Sequence, residues 1–266
     1  MSPNLVPAPL EQFSSTMIFA LSIFMVAAHS LFVAQAAPRT ALPTRTRAVA
    51  PFLTAALLAG WLGVAVSITS KMNNVGQIEQ ALPGVLLTSL LVGFGPVVAA
   101  ATLLFISRTV SALYAAMPPD WLIRIQSYRM AGLLFLYPFL HYGVISAGFA
   151  IPAALGDFLT GLFAPFVAAA VASRKRNAFG WAVGWNIFGI SDLIVAPIAA
   201  VLSHSQVLQI YPLALVPLFL GPPLGILVHI YSLWRMTRER RALQPRVSPA
   251  TNNVSLRQAA SANTAS

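Results

Sequence analysis

Cysteine is absent from the chain, which excludes disulfides, thiol catalysis, Cys-ligated zinc and iron–sulfur clusters. Charge is nearly as scarce. Asp and Glu number six, and charged residues make up 8% of the 266, against about 25% in a soluble domain. So few charges cannot cover a soluble surface of this size, and with 58% hydrophobic residues most of the chain has lipid as its solvent. No GxxxxGKS/T, HExxH or GxSxG pattern occurs, so there is no signature of a phosphate loop, a zinc hydrolase or a serine hydrolase.

What the chain does have is a series of apolar segments long enough to cross a hydrocarbon core of about 30 Å. They run from Ser15 to Ala37, Val49 to Ser70, Pro83 to Ser107, Tyr128 to Gly148, 150 to 172, 178 to 202, and Gln209 to Trp234. The expected architecture is all-α, a polytopic bundle of seven transmembrane helices. Residues 1–14 form an N-terminal extracytoplasmic segment, 15–234 the membrane domain, and 235–266 a basic tail with too few apolar residues to fold alone. Ala34-Gln35-Ala36-Ala37 resembles a signal-peptidase site. The apolar run before it is longer than a signal core and lacks a basic leader, so the first segment reads as an uncleaved span. Gly93-Phe94-Gly95-Pro96 and Gly221-Pro222-Pro223 are expected to break or kink spans three and seven, because proline removes a backbone donor.

The net charge of +10 does not indicate nucleic acid here. The basic residues form short clusters between apolar spans, the pattern that sets membrane orientation. With seven spans and the N-terminus outside, fifteen of the sixteen Lys and Arg residues lie on the cytoplasmic side and Lys71 alone lies opposite. The C-terminus is then cytoplasmic, and the expected location is the inner membrane of a bacterium. Arg129 is read as marking the cytoplasmic boundary of span four by snorkelling.

Against this background the two aspartates at membrane depth stand out. Asp157 and Asp192 lie inside GDFLTGLFAP and WNIFGISDLIVAP, on spans five and six. Ionisable groups there usually face the bundle and usually serve function. On span five, Ala153, Asp157, Gly161, Ala164 and Ala168 share a stripe of small residues, where membrane helices approach closely. On span six Trp185, Gly189, Asp192 and Ala196 share a face, and on span seven Pro222, Gly225, His229 and Ser232 do. Counting residues from the span ends at 1.5 Å each places His141, Asp157 and Asp192 in the outer half, and His29, Asn186 and His229 in the inner half. Asp157, Asp192 and His141 are therefore the candidate binding or proton-relay residues, with His29, Asn186 and His229 as secondary candidates. The plainer reading of each is a buried polar group that hydrogen-bonds a neighbour and holds helices together.

The segments YRMAGLLFL (128–136), GDFLTGLFAP (156–165) and WNIFGISDLIVA (185–196) resemble uncharacterised bacterial multi-pass inner-membrane proteins. That resemblance covers spans four to six and implies no activity. The breaks at Gly95-Pro96 and Gly221-Pro222, with span four as a linker, are similar to the 3+1+3 parallel repeat of the sugar-efflux SWEET family. The Pro-Gln pair of that superfamily is missing from the spans, and outside the Gly-Pro pairs the two halves do not align.

The leading expectation is a small-solute or proton-coupled transporter or channel that uses its buried carboxylates to bind or relay a cation or proton. Its partners are then the lipid bilayer and a small solute or proton, and not nucleic acid. No catalytic residue and no cofactor is expected. Haem held by His29 and His229, or a bound metal, belongs to the rival reading of a membrane-embedded redox subunit. A third reading is a structural or accessory subunit. A retinal Schiff base of the rhodopsin type is excluded, since no Lys lies in span seven.

Overall fold

The computed structural model describes residues 8–72, 78–205, 207 and 210–238. Residues 1–7 of the expected N-terminal segment, 73–77 of the second connector and 239–266 of the expected tail lie outside them. Every regular element among the described residues is helical. The first, α1 (Ala8–Ala36), begins about two turns earlier than the apolar run alone suggests. It is followed by α2 (Thr44–Met72) and α3 (Ile78–Ile106). Then come two short helices, α4 (Arg108–Ala115) and α5 (Pro119–Arg124). An eleven-residue 3-10 helix (Ile125–Phe135) leads directly into α6 (Leu136–Tyr142). The long helices α7 (Ala147–Ala172) and α8 (Ala178–Leu202) follow, and a π-helical turn (Val216–Leu220) precedes α9 (Pro222–Arg238).

Among the described residues, five stretches are long and apolar enough to cross a membrane: Ala8–Arg39, Thr44–Ser70, Ala147–Ala172, Ala178–Leu202 and Val216–Arg238. The bent pair Leu91–Ile106 and Arg108–Ala115 brings the number to six. The chain is thus built as a multi-pass membrane protein. Its large apolar side chains confirm the solvent: Phe52, Ile106, Phe166 and Leu202 point outward, where water would oppose them and lipid does not.

One of the two expectations about broken helices needs correction. The helix α3 continues through Gly95-Pro96, and the sharp turn, 90°, comes at Ser107 instead. There the Ser107 hydroxyl accepts from the Val110 amide and starts α4, as an N-cap serine does. Gly93 serves packing: a side chain there would rest on Pro223 and Leu218. The break before α9 is real, since the π turn ends at Gly221 and the helix restarts at Pro222.

Segment 128–148 also differs from a plain α-helical span. Its helical run begins at Pro119 and its central part is 3-10. Pro138 has no N–H to return to the carbonyl of Leu134, so α-helical pairing is interrupted where the 3-10 helix hands over to α6. A 3-10 helix repeats every three residues. Gln126, Arg129, Gly132 and Phe135 therefore lie on one line, and all four are buried. That line packs along the small-residue stripe of α7, where a side chain at Gly161 would overlap the backbone nitrogen of Met130. Gly161→Ala forces two backbones apart rather than displacing one side chain. It is expected to lower stability by about 1–3 kcal/mol, read as a fall in the thermal unfolding temperature of the detergent-purified protein. Gly180→Ala, which meets open space, is the matched control.

Side chains tie the remaining elements to this centre. Trp61 donates to the Val92 carbonyl at 2.8 Å, linking α2 to α3. Tyr128 donates to the Leu220 carbonyl at 2.5 Å, linking the 3-10 helix to the π turn. Arg235, buried near the end of α9, donates to the carbonyls of Tyr114 (3.1 Å), Ala115 (2.9 Å) and Met117. A cation on these carbonyls satisfies and offsets the negative end of α4.

Candidate functional site

The centre of the bundle is a buried arginine. Arg129 is 2% exposed and its guanidinium reaches three helices at once. Nε donates to Asp157 Oδ1 of α7 at 2.6 Å. Nη2 donates to Asp192 Oδ2 of α8. Nη1 donates to His229 Nε2 of α9 at 3.0 Å and to the Gly189 carbonyl at 3.4 Å. The planar fork of arginine suits such a role, since its donors point in fixed and different directions.

The expectation that Arg129 snorkels at a boundary is therefore wrong. The helical run that carries it starts at Pro119, ten residues earlier, rather than at Tyr128. The side chain lies between helices, where the two acids draw it in. Through Arg129, Asp157 and Asp192 of the expected outer half and Asn186 and His229 of the expected inner half belong to one network.

The network fixes the state of His229. Arginine only donates, so Nε2 of His229 accepts and its proton sits on Nδ1. Nδ1–H in turn donates to Asn186 Oδ1 at 3.0 Å. The amide nitrogen of Asn186 donates to the Ala182 carbonyl at 2.8 Å and to Ser232 Oγ at 3.4 Å. A second proton on the imidazole would set two donors against each other at Nε2, so the ring is held neutral. The Trp185 ring lies against it, with centroids 4.7 Å apart, and is itself anchored by its indole N–H on the Thr160 carbonyl at 2.9 Å.

Glycines make the room. A side chain at Gly132 would overlap Asp157, one at Gly156 would overlap the carboxylate of Asp192, and one at Gly189 would overlap the His229 ring. Both carboxylates and the imidazole thus face a glycine on a neighbouring helix.

Electrostatics follow by counting. One guanidinium faces two carboxylates, and the imidazole is neutral. With both acids ionised the cluster carries one uncompensated negative charge. Each carboxylate spends one oxygen on Arg129. Among the described residues Asp157 Oδ2 and Asp192 Oδ1 take no hydrogen bond. Beside Arg129 and Asp157 lies a cavity of ≈ 30 Å³, walled also by Tyr128, Gly132 and Leu220. That is space for one water-sized group.

The other expected residues lie apart. His141 sits exposed on α6, with its ring 4.9 Å from that of Tyr137, and no hydrogen bond or ion pair joins it to the cluster among the described residues. His29 is buried in α1 and its Nδ1 donates to the Met25 carbonyl at 2.9 Å within its own helix. Both ring nitrogens of His229 are engaged, by Arg129 and Asn186, so neither is free to ligate iron opposite His29. Where the two acids and His229 converge, the guanidinium lies between them.

The chain belongs to the family described as Domain of unknown function (DUF8737), whose match spans residues 86–237. All five members of the network, Arg129, Asp157, Asn186, Asp192 and His229, fall within that span. No curated protein and no solved structure matches the chain.

Proposed function

We propose that this DUF8737 protein is an inner-membrane transporter that takes up one positive charge, a proton in the simplest case, on the Asp157–Asp192 pair and couples it to movement of a small solute. The observation that carries the reading is the charge count: two carboxylates, one guanidinium and an imidazole locked neutral. An uncompensated charge at membrane depth is costly, so the resting cluster holds one extra proton or one monovalent cation. Arg129 keeps the acids close enough to share it, and each has a free oxygen to receive it.

The same reading takes the chain to cross seven times, with the N-terminus outside and the C-terminus in the cytoplasm. Residues 125–142 supply the fourth crossing. At about 2.0 Å per residue in the 3-10 part and 1.5 Å in the α part they rise about 32 Å, against a core of about 30 Å. The short helix α4, turned by 90° from α3, lies in the membrane plane. This topology keeps fourteen of the sixteen basic residues on one side, with Arg129 inside the bundle and Lys71 opposite.

Infrared spectroscopy of the protein in nanodiscs tests the charge count. A C=O band of one buried protonated carboxyl is expected in the wild type. It should vanish in both Asp157→Asn and Asp192→Asn, because the remaining aspartate then pairs with Arg129 as an anion. Absence of the band in the wild type at every pH sampled, with no bound cation replacing the proton, sinks the proposal. Proton flux into proteoliposomes then separates a transporter from a purely structural cluster.

A further inference from the structure

Between α1 and the 3-10 helix runs a groove of ≈ 580 Å³, within the range of small-molecule sites. Phe13, Met17 and Phe24 form one wall and Met130 and Leu133 the other, all with outward-facing surface. The lining is apolar apart from the Tyr137 hydroxyl. The groove adjoins the small cavity beside Arg129 and Asp157, and Leu21, Ala131 and Leu134 border both. An apolar trough open to lipid therefore ends next to a site short of one positive charge.

We propose that the solute recognised here is a lipophilic primary amine, which enters sideways from the membrane with its alkyl chain in the groove and its ammonium head beside Asp157. This rests on the reading of the carboxylate pair as a one-charge site. The chemistry selects against the alternatives. An anionic head meets a cluster already negative. A neutral head leaves that charge uncompensated. A primary ammonium is about the size of a water molecule and so suits a cavity of ≈ 30 Å³. It also brings N–H donors to the free Oδ2 of Asp157, which lines that cavity. A trimethylammonium head is too large and has no donor. When R–NH3+ binds, the carboxyl proton leaves to water and the charge of the cluster is unchanged. Amine and proton thus compete for one place.

Dodecylamine added to the protein in nanodiscs tests this, with the carboxyl C=O band as the readout. The band is expected to disappear saturably with dodecylamine and to persist with dodecanol and dodecyltrimethylammonium. Ala20→Trp narrows the groove without touching the cluster, and should raise the dodecylamine needed by about tenfold, equivalent to about 1.4 kcal/mol. A band that persists at saturating dodecylamine overturns the amine and leaves the carboxylate site standing. A band absent before any amine is added, with no bound cation in place of the proton, overturns the underlying reading instead. Equal loss with dodecanol or dodecyltrimethylammonium shows a bilayer effect and overturns the selectivity. Equal sensitivity of Ala20→Trp overturns the lateral route.

Discussion

Replacing Arg129 by methionine is expected to be the most damaging single change in the protein. It removes one side chain and strips the partner from two carboxylates and a histidine at once. Breaking one buried ion pair by deleting a partner costs about 3–5 kcal/mol, because a charge is left without compensation. Here the bound proton satisfies only one of the two acids. A fall in unfolding temperature of about 10 °C or more is expected, with poor accumulation in the membrane. Lysine should rescue only in part, since a point charge cannot reproduce three fixed donors. The decisive comparison is the triple variant Arg129→Met, Asp157→Asn, Asp192→Asn. It keeps similar volume and carries no charge, so most of the stability should return while the carboxyl band stays lost. A triple variant as unstable as Arg129→Met would mean that the packing of the arginine stem, and not its charge, holds the helices together.

The sequence and the structure agree best where helical periodicity speaks. The stripe through Asp157 on α7, the face carrying Asp192 on α8 and the face carrying His229 on α9 all turn toward the bundle. An α-helical period of 3.6 was enough to find them. What it could not show was that the faces meet, because that depends on a helix between them with a different period. The line Gln126, Arg129, Gly132, Phe135 repeats every three residues and reads as scattered on an α-helical wheel, although all four are buried. The start of span four is misplaced for a related reason: the apolar run sets it at Tyr128, whereas the helical run begins at Pro119. One signal did point to Arg129. Two acids buried in apolar helices call for a cation, and Arg129 stands at the start of an apolar run outside any basic turn. His141 shows the opposite error. Its count from the span end matched that of Asp157, but α6 presents it outward. Residue counts give depth and leave the direction around the helix open.

The charge count also makes the two aspartates interchangeable in an unusual way. In Asp157→Asn the guanidinium faces only Asp192, and in Asp192→Asn only Asp157. Each variant leaves a neutral cluster with no need of an extra proton. Each is therefore expected to fold, with stability within about 1 kcal/mol of the wild type, while losing proton binding. The double variant is different. Arg129 then remains buried with no counter-ion, the costly situation of a broken pair, at about 3–5 kcal/mol. The coupling between the two sites should thus be large and unfavourable, although either change alone is mild. Denaturation of the four proteins in one detergent measures it as a double-mutant cycle. If the single variants were each strongly destabilised and the double variant no worse, both carboxylates would be structural ties. No spare charge would then be available for a proton or an amine. If instead the singles fold and the double fails, one carboxylate suffices to hold Arg129, and the second is free to exchange its proton without loosening the bundle. That freedom is what a coupling site in a membrane helix bundle needs: the ion pair keeps the helices together while the charge that moves is carried by the remaining acid.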